Sequence, residues 1–364
     1  MHFKYEEKNF AIERYPNSNN KSLKAWSAAD EYLLKYLKEN NISYTKLIIF
    51  NDRFGFLSTI LSKQQPNIII NYKSQEKSLE INLKKNGVDL NSISITRPLE
   101  KLESTFDLVL IKIPKSLDLF RFQLNQLHES LKKDTLVICA FMTKYFSAQI
   151  LKIAQYYFEL CEQSLAWKKA RLLFLKKKRK VEKKELINSI SYSTTKKFKQ
   201  YYGVFSAKKI DQATLLLIQH LDVRLGHNKI LDLACGNGIL AHAALVNKPN
   251  AEIHLLDDSE LAIASSKINI DSKKACFHYN DTLDHFENNT FDLVISNPPF
   301  HFEYETNIEV TLNLFKEVKR CLKKGGSFQL VTSNHLNSKT HLNKLFHKVN
   351  IIAQNEKFVV YHCV

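Results

Sequence analysis

Two hydrophobic patterns alternate along this chain. Short apolar runs, such as Ile230-Leu231 and Leu255-Leu256, suit strands covered on both faces. Between them lie stretches whose apolar positions recur at helical spacing. After residue 200 the pattern predicts helix 211–222, strand 229–234, helix 238–247, strand 252–257 and helix 260–270. Strands 275–280 and 291–296, helix 308–322, strand 327–333, helix 339–349 and a hairpin over 351–363 complete that half. The residues before 200 read the same way, so a doubly wound α/β sheet is expected in both halves.

The halves are related to each other. "TFDLVLIKIPKS" (105–116) resembles "TFDLVISNPPFH" (290–301), and "KLIIFNDRFGFLS" (46–58) resembles "KILDLACGNGILA" (229–241). "ADEYLLKYL" (29–37) echoes "IDQATLLLIQHL" (210–221), and "QLHESLKKDTLVI" (126–138) parallels "EVKRCLKKGGSFQLV" (317–331). Four fragments in the same order in both halves imply two tandem, duplicated Rossmann-like domains. The expected boundaries are 1–175 and 201–364, joined by a basic linker over 176–200.

Composition adds a partner and removes some classes. The chain of 364 residues is 44% hydrophobic and 25% charged, as soluble globular domains are. No apolar signal region opens it and no stretch nears eighteen uninterrupted apolar residues, so a cytoplasmic protein is expected. Six cysteines are scattered without a CxxC pair, which points to reduced thiols and no metal. The net charge of +16 and the run "WKKARLLFLKKKRKVEKK" (167–184) point to a polyanionic partner, nucleic acid in the first place.

The halves differ in chemistry. Six of the eight glycines follow residue 200. Arg53 stands where the second half has Gly236, and Lys112-Ile113-Pro114-Lys115 stands where it has Asn297-Pro298-Pro299-Phe300. A bulky residue at a tight strand-to-helix turn blocks close approach of a ligand to the backbone. The first half is therefore expected to keep the fold without the ligand site.

In the second half, "ILDLACGNGIL" (230–240) reads as a strand, a glycine turn and a helix start, either a structural turn or a cofactor loop at a sheet switch point. It lacks the third glycine of the dinucleotide fingerprint. About 20 residues on, Asp257 or Asp258 ends the next strand, where an acid accepts from ribose hydroxyls; Asp257 is favoured, and Asp258 or Ser259 caps the following helix. Asp281 follows the third strand, either as a turn former or as acceptor for an exocyclic amine such as adenine N6. Asn297 closes the fourth strand, and two prolines hold the chain beyond it extended. The carbonyls of Asn297 and Pro298 beside the Phe300 ring suit an exocyclic amine on a flat heterocycle.

These motifs resemble the class I methyltransferases that use S-adenosylmethionine. "NPPFH" is similar to the bacterial rRNA guanine-N2 enzymes, as is "YYGVFSAKKIDQATLLLIQHLD" (201–222). "LKAWSAADEYLLKYL" (23–37), "IIFNDRFGFLS" (48–58) and "LAWKKARLL" (165–173) resemble the 23S rRNA, large-subunit branch of that family. The resemblance implies direct methylation of guanine N2 in a flipped-out base, without a metal. It places Gly236, Asn237 and Gly238 at the cofactor's methionine portion, Asp257 at the ribose and Asp281 at the adenine. Phe205 and Asp211 would belong to a segment closing over the cofactor. Asn297, Pro298 and Phe300 would hold the guanine, with Asn297 also bordering the cofactor. The first half and the basic run would contact ribosomal RNA. Two departures stand out: Ala234, where the family usually has glycine, and Phe302-Glu303, where it tends to be more polar. The rivals are the same chemistry on 16S rRNA, methylation of a protein amide, an inactive RNA-binding assembly factor and a nicotinamide oxidoreductase.

Overall fold

The computed structural model describes residues 1–364 except Asn19, Lys21, Glu103, Ser104, Lys183, Phe300, Glu303, Tyr304 and Asn307, and without the side chains of His301, Phe302, Glu305, Thr306 and Ile308. It divides into two compact units, Met1–Leu186 and Ile187–Val364. Each is built on one seven-stranded sheet. Counting only the strands of these sheets, the first unit holds β1 (Leu47–Phe50), β2 (Asn67–Ile69), β3 (Ser94–Thr96), β4 (Phe106–Lys112), β5 (Leu131–Met142), β6 (Phe158–Gln163) and β7 (Ala170–Lys178). The second holds β8 (Lys229–Leu233), β9 (Glu252–Asp257), β10 (Ala275–Tyr279), β11 (Phe291–Ser296), β12 (Leu322–Ser333), β13 (Val349–Gln354) and β14 (Phe358–Cys363).

The sheet orders are β3-β2-β1-β4-β5-β7-β6 and β10-β9-β8-β11-β12-β14-β13, one topology twice. Five strands in each sheet are parallel, and the last two join antiparallel. That antiparallel pair departs from the 3-2-1-4-5-6 order of dinucleotide-binding sheets. Helices cover both faces, so central strands such as Leu47–Phe50 are buried at every position, which is why they read as continuous apolar runs. Two apolar clusters flank each sheet, one on each face.

The predicted elements of the second half recur within a few residues, with one exception. Helix 339–349 shrinks to Ser338–Leu342, and the chain turns through Asn343–His347 into β13. The join between units is also not the expected linker. Lys176–Lys178 end β7, with Lys176 paired to Glu162 at 3.0 Å, and Ile187–Ser191 pairs with Lys197–Tyr201 as a hairpin of the second unit. Alternating apolar residues inside a basic stretch, such as Ile190 and Phe198, are buried and carry that hairpin. Among the described residues no helix is long and apolar enough to cross a membrane, and all six cysteines are free thiols.

Candidate active site

The carboxyl ends of β8, β9, β10 and β11 bring Gly236, Asp257, Asp281 and Asn297 to one edge of the second unit's sheet. β8 runs into Ala234 and Gly236, both in left-handed backbone at φ +59° and +54°, and Gly238 at φ +83° starts helix Ile239–Asn247. Left-handed backbone explains why glycine suits position 234 and why alanine there is strained. The two predicted glycines do different work. A Cβ on Gly236 would meet nothing within 4 Å, whereas one on Gly238 would lie 3.0 Å from Ile270 Cγ1 and 3.3 Å from Ser266 Cβ. Gly236 borders open space; Gly238 lets the helix start pack on its neighbours.

Asp257 ends β9 and ties it to that loop. Its Oδ2 accepts from the Gly236 N–H at 2.9 Å and its Oδ1 from the Ser259 N–H at 2.8 Å. Ser259, rather than Asp258, caps helix Glu260–Asn269, accepting from the Ala262 N–H. Desolvation pushes the Asp257 carboxyl up to about 6 against those two N–H groups, which favour the ionised form. Beneath it lies a residue sequence reading passed over. Asp232 in β8 is fully buried, accepts from the Ala241 N–H at 2.9 Å, and is pushed up to about 7 by desolvation, with the Asp257 charge adding to it.

Asn297, just past β11, reaches the start of helix Gln212–Gln219. Its Nδ2 donates to Asp211 Oδ2 at 3.2 Å and to Thr214 Oγ1 at 2.9 Å. Asp211 caps that helix, accepting from the Ala213 and Thr214 N–H groups. Pro298 is buried, while Pro299 is exposed with its carbonyl taken by Thr311 Oγ1 at 2.9 Å. Phe205 is 69% exposed, and Asp281 follows β10 on the same edge. Phe300 lies outside the described residues, as does the side chain of His301.

The residue that joins these parts was not legible in the sequence. Gln200, at the end of the hairpin and fully buried, accepts from Asn237 Nδ2 at 2.7 Å. Its own Nε2 donates to the carbonyls of Val204 (3.0 Å) and Phe205 (3.1 Å). One amide thus holds the glycine loop and the segment leading to Asp211.

The first unit repeats the backbone at two of the loop's three left-handed positions and replaces the chemistry. Asn51 (φ +60°) and Gly55 (φ +69°) copy the conformations of Ala234 and Gly238. Phe50 pairs with Ile69 and Ile111 where Leu233 pairs with Leu256 and Ser296, so Ile70 takes the place of Asp257 and Lys112 that of Asn297. The Arg53 guanidinium lies over the Phe54 and Tyr72 rings and donates to Ser74 Oγ. Asn51, Asn71, Gln75 and Gln123 fill the adjoining space with a buried amide network.

A glycine loop open at Gly236, an acid at the end of the next strand and an Asn-Pro-Pro turn beyond the fourth define a class I methyltransferase fold. The same fold occurs in the T. thermophilus 16S rRNA N2 methyltransferase (RsmC) solved with AdoMet and guanosine, at 18% identity and TM-score 0.78, over 100% of this chain and 97% of that one. Residues 1–179 match the RLMG N-terminal domain and residues 195–362 the Methyltransferase small domain. The chain belongs to the ribosomal RNA large subunit methyltransferase G family. It is 32% identical to that protein of Pseudoalteromonas translucida, over 97% of this chain and 95% of the relative. It is also 32% identical to that of Colwellia psychrerythraea, over 98% and 97%.

Proposed function

We propose that this chain methylates the exocyclic N2 of a guanine in 23S rRNA, using S-adenosylmethionine. The observation that carries the reading is the fixed orientation of Asn297. Both N–H groups of its amide are taken by Asp211 and Thr214, so its Oδ1 is left to accept from an amine in the cleft.

The residues fit the cofactor. Gly236 leaves open space beside the loop for its methionine portion, Asp257 presents a carboxylate for ribose hydroxyls, and Asp281 sits at the strand end expected for adenine. When bound, S-adenosylmethionine supplies an already activated methyl group, so the chain's task is orientation and electrostatics. Asn297 Oδ1 and the Pro298 carbonyl grip the guanine amine and favour its pyramidal form, whose lone pair is free to attack. Bound there, the cofactor would supply the methyl carbon and leave as a neutral thioether, while Asn297 and Pro298 hold N2 in place as it passes a proton to solvent. The guanine must leave its helix to reach this edge, and Phe300 is the ring on which it would stack. The first unit and basic residues such as Lys177 and Lys180 supply phosphate contacts that weaken with salt.

The test is transfer from labelled S-adenosylmethionine to unmodified 23S and 16S rRNA, free and in particles, followed by nucleoside analysis. N2-methylguanosine confined to 23S rRNA is the expected result. Label confined to 16S rRNA, or to another atom, would overturn it.

A further inference from the structure

Away from the active-site edge, parallel pairing of β9 and β10 sets His254 directly beside Cys276. Glu252, two residues before His254, shares its face of the sheet. One ligand atom from each of the three lies within 4.8 Å of the other two. The donor set is a carboxylate, an imidazole and a thiol. Oxygen-seeking cations such as Mg²⁺ and Ca²⁺ do not favour it, whereas Zn²⁺ does.

The imidazole is held as metal-binding histidines are held. His254 is 8% exposed, and the rings of Phe286 and Phe291 stand edge-on to it. Its Nε2 lies 2.7 Å from Glu252 Oε1, and its Nδ1 lies 2.9 Å from His278 Nε2. His278 Nδ1 continues to His285 Nε2 at 3.3 Å, and His285 Nδ1 to Asn280 Nδ2 at 2.9 Å. An outer partner on the second ring nitrogen fixes the orientation of a ligand histidine.

We propose that Glu252, His254 and Cys276 form a zinc site, with water in the fourth position, that pins edge strand β10 to β9. The ion takes the place of the proton now shared between His254 Nε2 and Glu252. The His254 Nε2 proton leaves to solvent, and the Nε2 protons of His278 and His285 each pass one ring along to His254 Nδ1 and His278 Nδ1. His285 takes a proton from solvent on Nδ1, toward Asp284 Oδ1 at 3.7 Å, as the Asn280 amide turns over. Cys276 loses its thiol proton to solvent. Lys229 Nζ, 3.2 Å from Glu252 Oε1, is the competing cation and has to swing away. The exposed positions of Glu252 and Cys276 give the ion an entry path.

Co²⁺, titrated into the full chain as a spectroscopic stand-in for Zn²⁺, tests the site. One equivalent should bind with a near-ultraviolet thiolate charge-transfer band and the visible bands of tetrahedral cobalt, and Zn²⁺ should displace it. Cys276→Ser, at an exposed position that leaves the core intact, should remove the charge-transfer band and weaken binding at least ~100-fold. Lys229→Gln should tighten binding. A cobalt spectrum unchanged in Cys276→Ser, octahedral bands only, or no saturable binding would each overturn the proposal.

Discussion

Asn297 Nδ2 lies 3.2 Å from Asp211 Oδ2. A carboxylate only accepts hydrogen bonds, so this contact settles which end of the amide faces the helix cap and which faces the cleft. The first unit holds the same relationship in another chemistry. Lys112 occupies the position of Asn297, and its Nζ lies 3.0 Å from Oδ2 of the buried Asp30. An ammonium there is a donor only and cannot grip an amine. This exchange at the end of the fourth strand joins Arg53 for Gly236 and Ile70 for Asp257 in setting the first unit apart from the second.

Replacing Asn297 by alanine should lower methyl transfer at least ~10³-fold while cofactor affinity changes little, because the lost acceptor serves the amine in the transition state. Single-turnover transfer and calorimetry read the two separately; transfer within tenfold of wild type would dismiss the amine grip. Asp211→Asn keeps a helix cap but removes the acceptor-only partner, so the Asn297 amide is free to turn over. Transfer should fall ~10–100-fold. A change in cofactor affinity alone would instead assign Asp211 to the cofactor.

With its carboxyl pushed up, Asp257 should give cofactor binding a pH dependence whose sign follows from that shift. Its carboxyl, pushed up to about 6, must be ionised to accept from both ribose hydroxyls. Affinity for S-adenosylmethionine should be flat above pH 7 and fall as pH drops through 6, approaching tenfold per unit below that. Asp257→Asn should bind ~10–100-fold more weakly and lose the dependence. Asp232, near 7, titrates in the same range, so Asp232→Asn is the control and should keep the fall below 6. Calorimetric affinities between pH 5 and 8 decide; a wild type flat over that range would contradict the assignment.

The first unit should bind no cofactor. Arg53 fills the place of Gly236 and Ile70 removes the acid, so calorimetry should find one S-adenosylmethionine per chain. Gly236→Arg copies the first unit's residue into the open space and into a backbone of φ +54°, and it should abolish that one site. Two equivalents in wild type, or a site surviving in Gly236→Arg, would show that the loop is not what distinguishes the halves.

Strand positions and the duplication were readable because buried parallel strands are apolar at every position and both halves keep the same order of fragments. The place of Asp257 at the end of β9, beside the loop, was readable because acid spacing after a glycine turn is set by one strand-helix-strand unit. What sequence could not reveal depends on contacts between distant residues. The orientation of Asn297 comes from a residue 86 positions away. Gln200 sits in a stretch whose lysines made it read as linker, and a buried amide has no periodicity to announce it. Glu252, His254 and Cys276 have no ligand spacing in sequence; only the register of β9 against β10 brings them together.

Gln200 should prove a positioning residue for the cofactor loop. It bonds Asn237 of the loop and the carbonyls of Val204 and Phe205, so its loss frees the loop and the Phe205 segment together. Gln200→Met keeps the volume and leaves three polar groups without their partner, each costing about 1–3 kcal/mol where water cannot reach it. The cost should appear mainly as weaker cofactor binding, with KM for S-adenosylmethionine up ~10–100-fold and kcat at saturation changed much less. Gln200→Glu keeps the acceptor for Asn237 but loses the donor to both carbonyls, so it should fall between. If Gln200→Met lowered the melting temperature while KM stayed at the wild-type value, the residue would be a core amide and nothing more.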